Sequence, residues 1–186
     1  MFCWYEFIDL GEITIYIGHL AIGIAAKTTM DKVPVWATIA AAYTNDILKV
    51  GFKAVGLEHG GSAHMDLLHG IVVITPADIP WSHGLLMSVV WSLLVAAIIY
   101  LIYRDRRSAT IMGLVVISHW LLDFIVHPPE LPLLFHGSQM VGLGLWMSSQ
   151  GLMIANILEL MMLIGAIALY WVNKKRKKLG VSHLPG

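Results

Sequence analysis

Cysteine and charged residues are both scarce in this chain. Cys3 is the only cysteine among 186 residues, which excludes an intrachain disulfide and any CxxC metal or redox motif. Charged residues make up only 13% of the chain, and 12 basic residues balance 12 acidic ones. Because no net positive field attracts a polyanion, we expect no nucleic acid partner.

Apolar residues are abundant instead. They account for 58% of the sequence, and the mean hydropathy is +0.74. The first 12 residues, MFCWYEFIDLGE, lack a basic segment and contain acidic residues, so they do not resemble a cleavable secretory signal. No long linker or internal repeat divides the chain. We therefore expect one integral membrane domain over residues 1–186, with membrane lipids as its surroundings and no indication of its oligomeric state.

Several apolar stretches approach the length of about 20 residues that a helix needs to cross a hydrocarbon core of roughly 30 Å. A shorter apolar segment at 66–76 predicts a re-entrant or interfacial helix. The predicted fold class is an all-α, polytopic membrane helix bundle of about five spans, at approximately 10–27, 33–52, 81–103, 108–127 and 151–172.

Basic residues near the ends of these spans predict their orientation, because cytoplasmic loops are enriched in lysine and arginine. One cluster lies between the third and fourth spans, and a second follows the fifth span. Lys49 and Lys53 do not fit this pattern. We expect an inner (plasma) membrane protein with a cytoplasmic C-terminus, from the positions of Arg104, Arg106, Arg107, Lys174, Lys175, Arg176, Lys177 and Lys178.

Ionisable side chains inside apolar helices are costly and therefore mark functional sites. His119 and Asp123 stand four residues apart and share one helix face. Imidazole and carboxylate are ligands of zinc and similar divalent ions, but such a pair also serves as a hydrogen-bonded connection between helices. The full set of candidates in the spans is His19, Asp46, His83, His119, Asp123 and Glu159.

The depth of each candidate follows from the helical rise of about 1.5 Å per residue, counted from the basic ends. Asp46, His119, Asp123 and Glu159 fall at about 16 to 23 Å by this count. His19 falls lower, at about 12 Å, and His83 higher, at about 31 Å. Bringing all of them together therefore requires a tilted or broken helix.

The ordered motifs Gly18-His19, Asn45-Asp46, Trp81-Ser82-His83 and Ser118-His119 with Asp123 resemble the YdjM-like family. These are bacterial inner-membrane proteins, also described as LexA-binding, that are regarded as metal-dependent hydrolases. Asp78 stands where the family has the first histidine of an HRGxTHS-like motif, and no arginine follows it. The resemblance covers residues 18–127 and implies a divalent metal, zinc above all, bound by His19, Asp46, Asp78, His83, His119 and Asp123.

These observations favour a membrane-embedded hydrolase that uses metal-activated water on a lipid-borne ester or phosphoester. Asp46 or Glu159 would act as the catalytic base. The alternatives are a metal-ion or proton transporter or channel, a haem-binding subunit, and a non-catalytic membrane adaptor.

The remaining histidines lie in predicted loops. A glycine-containing segment carries His59, His64, Asp66 and His69, which indicates either a solvated, lid-forming loop or a second metal site. His127 is expected at a helix mouth, because Pro128-Pro129 ends the fourth span there.

Overall fold

The computed structural model describes residues 17–59, 62–66, 71–75 and 77–179. Within these residues the protein is mostly helical, with two small antiparallel sheets and a 3₁₀ turn at Leu145–Met147. In chain order the other elements are α1 (Ile17–Lys27), α2 (Val35–Ala42), α3 (Thr44–Ala54), β1 (Ser62–Asp66), β2 (Ile71–Thr75), α4 (Pro80–His83), α5 (Leu85–Tyr103), α6 (Arg106–Val126), β3 (Leu131–Pro132), β4 (Met140–Val141) and α7 (Ser149–Lys178).

Among the described residues, three helices, α5, α6 and α7, are long and apolar enough to cross a membrane. They correspond to the predicted spans 81–103, 108–127 and 151–172. The described part of the first predicted span is an 11-residue helix, and residues 10–16 lie outside the described part. The predicted span 33–52 is divided at Tyr43 into helices of 8 and 11 residues. The all-α class is therefore supported, whereas spanning length is confirmed for only three of the five predicted spans.

Helix α6 is the centre of the bundle. Half of the residues in its apolar 18-residue stretch are buried, against 11% in the corresponding stretches of α5 and α7. It packs on α5 and also contacts α1 and α2, while α7 packs on α1. The outward faces of α5 and α7 expose large apolar side chains that suit contact with lipid, including Leu93, Leu101, Ile102, Met161, Ile164 and Leu169.

The N-terminal half of α6 packs into an apolar core with the ends of α1, α2 and α5. Asp105 begins the helix, and its carboxylate accepts hydrogen bonds from the backbone N–H groups of Arg107 and Ser108. The core beyond this cap is formed by Ala26, Met30, Val33, Ala41, Ala42, Ile99, Ala109, Met112, Val115 and Val116.

Where the structure describes the segment 66–76, at residue 66 and at 71–75, it forms strand and not the predicted helix. Strand β1 pairs with β2 in an antiparallel hairpin, with Ser62 opposite Thr75 and Asp66 opposite Ile71. Residues 71–75 read IVVIT, and β-branched side chains favour a strand because their χ1 freedom is restricted in a helix.

Candidate metal centre

Five of the six predicted metal ligands converge between four helices. His19 comes from α1, Asp46 from α3, His83 from α4, and His119 with Asp123 from α6. Asp46 keeps 22% of its side chain accessible, whereas at most 5% of each of the other four side chains is accessible. The five groups therefore form one enclosed cluster with an opening on the Asp46 side.

The Nε2 atoms of all three histidines face carboxylate oxygens. Asp123 Oδ1 lies 3.4 Å from Nε2 of His19, and Asp123 Oδ2 lies 3.5 Å from His83 and 3.3 Å from His119. Asp46 Oδ1 lies 3.6 Å from Nε2 of His83 and 3.7 Å from Nε2 of His119. Asp123 thus uses both oxygens, one toward His19 and the other toward the remaining two histidines.

These five separations are longer than ordinary N–H···O hydrogen bonds, whose donor and acceptor lie about 2.7 to 3.2 Å apart. Two ligands of one tetrahedral zinc ion, each about 2.0 to 2.1 Å from the metal, lie about 3.3 to 3.4 Å from one another. The observed range of 3.3 to 3.7 Å is close to that ligand spacing. The geometry suits side chains arranged around an ion rather than paired with each other.

The outer nitrogens of two histidines already have partners. Nδ1 of His119 lies 2.8 Å from the carbonyl oxygen of Ala42, which can only accept a hydrogen bond. Nδ1 of His83 lies 2.8 Å from Oγ of Ser82. With the proton on Nδ1, each neutral imidazole directs the lone pair of Nε2 toward the carboxylates of Asp46 and Asp123. Lone pairs that meet in this way need a cation, either a proton or a metal ion, between them.

His19 has a different environment. It is 4% exposed, and neither ring nitrogen has a hydrogen-bond partner among the described residues. Its ring centroid lies 4.0 Å from that of His119. Asp46 Oδ2 is also buried without a described partner. Buried polar atoms without partners are rare and costly, which makes them candidates for contact with a ligand.

Two overlapping sets of side chains have their ligand atoms within 4.8 Å of one another: His19 with His119 and Asp123, and Asp46 with His83 and His119. His119 belongs to both sets and is therefore central to the cluster. Either set could hold a metal ion through imidazole nitrogen and carboxylate oxygen.

The structure places Asp78 away from this cluster. Its side chain is 48% accessible, and both carboxylate oxygens lie 2.8 to 2.9 Å from Nδ1 of His136. Helix α4 begins at Pro80, after its N-cap residue Ile79, so Asp78 precedes the helix that carries His83. We therefore remove Asp78 from the predicted ligand set.

Glu159, one of the two predicted catalytic carboxylates, lies beside the cluster but belongs to neither metal-binding set. Its Oε2 accepts a hydrogen bond of 3.3 Å from the backbone N–H of Gly18, next to His19. A Cβ added to Gly18 would lie 3.2 Å from Cγ of Glu159. Asp46, the other predicted catalytic carboxylate, lies among the candidate ligands instead.

A break in the third predicted span explains how His83 joins the cluster. The span starts with the single turn α4, and Gly84 then adopts an extended backbone conformation before α5 begins. A Cβ at Gly84 would lie 2.4 Å from the carbonyl oxygen of Pro80 and 2.8 Å from that of Leu134. Only glycine fits this close approach, and the break gives His83 a direction independent of α5.

The loop histidines do not join this cluster within the described part of the chain. His59 is exposed, and His127 lies 2.6 Å from Glu130 at the end of α6, as expected for a residue at a helix mouth. His64 and Asp66 are described only as positions in β1, and His69 lies outside the described residues. A solvated, lid-forming loop and a second metal site therefore both stay as predictions for this segment.

Sequence reasoning missed Glu58, which is buried at 2% exposure and contacts Ser82. Its position in a glycine-containing loop indicated a solvated residue. The signal that could have found it is Ser82, because a hydroxyl directly before a candidate ligand often needs a hydrogen-bond partner of its own.

Comparison of the chain with protein-family models, with curated proteins and with solved structures found no match. The geometry of the buried cluster is therefore the basis on which a function is inferred.

Proposed function

We propose that this protein is a membrane-embedded, metal-dependent hydrolase whose substrate is a lipid-borne ester or phosphoester. The observation that carries the proposal is the inward direction of the Nε2 atoms of His83 and His119. Both face two carboxylates at 3.3 to 3.7 Å while their Nδ1 atoms are bonded elsewhere. A divalent cation would satisfy these lone pairs and both negative charges at once.

The resemblance to the YdjM-like family supports the same proposal. The matching motifs lie far apart in sequence, yet their chemically active residues meet in one cluster. We propose membership of that family on this basis. Asp78 is the departure, because it pairs with His136 instead of joining the residues that the other motifs supply: His19, Asp46, His83, His119 and Asp123.

The proposed ion is zinc, since nitrogen and carboxylate ligands with one position left for water are typical of its catalytic sites. The ion would lower the pKa of bound water toward about 7 and polarise the oxygen of the ester or phosphoryl group. Glu159 would take the proton from that water as its oxygen bonds to carbon or phosphorus. The bond to the alcohol would then break, and the departing oxygen would take up the proton that Glu159 had accepted.

A lipid-borne substrate suits the environment of the opening. Asp46 is the most accessible member of the cluster, and its neighbour Ile47 on α3 is 58% exposed, with Val50 70% exposed one turn later. An apolar surface beside a polar opening fits a molecule with an acyl chain and an ester or phosphate group. Substrate would enter on this side.

The transporter alternative requires a polar path through the bundle. The part of α6 that precedes His119 instead packs in the apolar core, through Met112, Val115 and Val116. Within the described residues this core closes one side of the cluster. A cluster closed on one side favours an enzyme over a conducting path.

We also propose an inner-membrane location with the C-terminus of α7 in the cytoplasm, because its last turn carries Lys175, Arg176, Lys177 and Lys178. Leu179, 77% exposed, is a suitable labelling position. In a Cys3→Ser background, Leu179→Cys should react with an impermeant maleimide only after the membrane is opened. Labelling of intact cells would contradict this topology.

The test of the enzymatic proposal combines metal content with hydrolysis. Detergent-purified protein is assayed on a panel of lipid esters and phosphoesters, before and after chelation and after zinc is restored. We expect activity to disappear with the metal and to return with it. Glu159→Gln should keep the metal but reduce kcat by about 10²- to 10⁴-fold. Hydrolysis that is unaffected by complete metal removal would overturn the proposal.

A further inference from the structure

A buried hydrogen-bond relay, formed by Glu58, Ser82 and His83, leads away from the cluster. Nδ1 of His83 lies 2.8 Å from Oγ of Ser82, and that hydroxyl donates to Oε2 of Glu58 at 2.8 Å. The backbone N–H of Ser82 donates to the other carboxylate oxygen, Oε1, at 2.7 Å. The three residues are between 0 and 3% exposed. This relay uses Nδ1 of His83, whereas Nε2 of the same ring faces the candidate metal ligands.

The hydroxyl of Ser82 has one proton, which it can give either to Glu58 or to His83. An ionised carboxylate only accepts hydrogen bonds, and Ser82 supplies the donor that the described structure shows at Oε2. If the hydroxyl donated to His83 instead, its oxygen lone pairs would face this carboxylate oxygen. The favourable arrangement therefore has Ser82 donating to Glu58 and accepting from the Nδ1–H of His83.

We propose that Glu58 and Ser82 are positioning residues that keep the proton of His83 on Nδ1, so that Nε2 is free to bind the metal. This inference rests on the metal site proposed above. It extends that site to Glu58, which lies outside the five-residue cluster and outside the family motifs, and to Ser82, which precedes His83 in the motif Trp81-Ser82-His83. Glu58 acts on His83 only through Ser82.

The backbone around Glu58 holds its carboxylate in place. His59 and Asp78 exchange two backbone hydrogen bonds, of 3.0 and 2.9 Å, at the base of the β1–β2 hairpin. On the other side, the N–H of Leu57 donates to the carbonyl oxygen of Phe52 at 2.9 Å. Glu58 is thus fixed between the end of α3 and the hairpin, which keeps the relay aligned with α4.

Glu58→Gln is the informative change because it preserves shape and alters only the proton pattern. The amide of glutamine can accept from the backbone N–H of Ser82 and donate its own N–H to Oγ. The Ser82 hydroxyl is then free to donate to Nδ1 of His83, which moves the imidazole proton to Nε2. A protonated Nε2 cannot bind a metal ion.

The experiment measures zinc affinity of the full-length protein by competition with a chelator, and the ¹⁵N NMR shifts of His83 in the metal-free protein at alkaline pH. We expect Glu58→Gln to weaken zinc binding by about 10- to 100-fold and to shift His83 toward the Nε2–H tautomer. Glu130→Gln, in the His127 pair outside the cluster, is the matched control and should change neither quantity.

Ser82 provides a second variant in case Glu58→Gln does not fold. Ser82→Ala should reproduce the loss of affinity, and Ser82→Thr, which keeps the hydroxyl, should restore it. A Glu58→Gln or Ser82→Ala protein with unchanged affinity and an unchanged His83 tautomer would overturn the inference.

The tautomer separates this inference from the proposed function. If the unmodified protein bound no zinc but His83 still carried its proton on Nδ1 in a Glu58-dependent way, the metal site would be wrong and the relay correct. If the protein bound zinc and Glu58→Gln changed nothing, the relay would be wrong and the metal site would stand.

Discussion

Histidine and carboxylate meet in two different ways in this protein. At the periphery, His127 with Glu130 and His136 with Asp78 form direct contacts through Nδ1 at 2.6 to 2.9 Å. In the central cluster, the contacts use Nε2 and lie at 3.3 to 3.7 Å. The peripheral pairs satisfy each other by a hydrogen bond, whereas the central groups are arranged as ligands around a common space. The central groups, unlike the peripheral pairs, could therefore hold a metal ion.

The largest effect is expected from His119→Ala, because His119 belongs to both metal-binding sets. Zinc affinity should fall by more than about 100-fold, beyond the range typical of residues that only support a ligand. His136→Ala is the control from the peripheral class and should leave affinity unchanged. Equal zinc affinities of the two variants would contradict the distinction between the central cluster and the peripheral pairs.

Asp123→Asn tests whether Asp123 is a ligand or only orients His119. Since Ala42 already holds Nδ1 of His119, Asp123 faces the nitrogen that would bind the metal. We expect a loss above about 100-fold, whereas a purely orienting role predicts about 10- to 100-fold. Asp78→Asn, measured in parallel by zinc competition, should have no effect. A loss within the lower range would place Asp123 outside the ligand set.

The slope of zinc affinity against pH reports how many histidines bind the ion. Each imidazole binds the metal in its neutral form, so an imidazolium must first release one proton and affinity falls as pH decreases. With two or three histidines at the site, the decrease below about pH 6 should exceed tenfold per pH unit. The peripheral histidines should not contribute, and His136→Ala should leave the slope unchanged. A slope of one proton or less would contradict a multi-histidine site.

A smaller effect is expected from Gly18→Ala, which would press a methyl group against Cγ of Glu159. Displacement of the proposed base should reduce kcat by roughly tenfold, while zinc affinity stays within about twofold of its starting value. Gly165→Ala on α7, the helix that carries Glu159, meets no atom within 4 Å and is the matched control. A change in zinc affinity that equals the change in kcat would argue against a separate role for Glu159.

The parts of this fold that sequence predicts well are the local ones. The apolar length of α5, α6 and α7 identified three spanning helices, and the four-residue spacing of His119 and Asp123 placed them on one face. Both inferences need only the geometry of a single helix.

The remaining features depend on interruptions that hydropathy does not report. Counting depth along continuous helices separated His19 from His83, whereas the break at Gly84 brings His83 into the cluster. The run at 71–75 was apolar enough for a helix, but its β-branched residues form a strand. Glu58 was missed because the partner that buries it, Ser82, lies 24 residues further along the chain.

The most direct test of the central claim is X-ray absorption spectroscopy of the purified protein after zinc reconstitution. We expect stoichiometric zinc with nitrogen and oxygen neighbours at about 2.0 to 2.1 Å and the multiple-scattering signal of two or three imidazoles. We also expect that His119→Ala removes this signal and that His136→Ala preserves it. Protein that binds no stoichiometric divalent metal, or binds it without imidazole, would contradict the account.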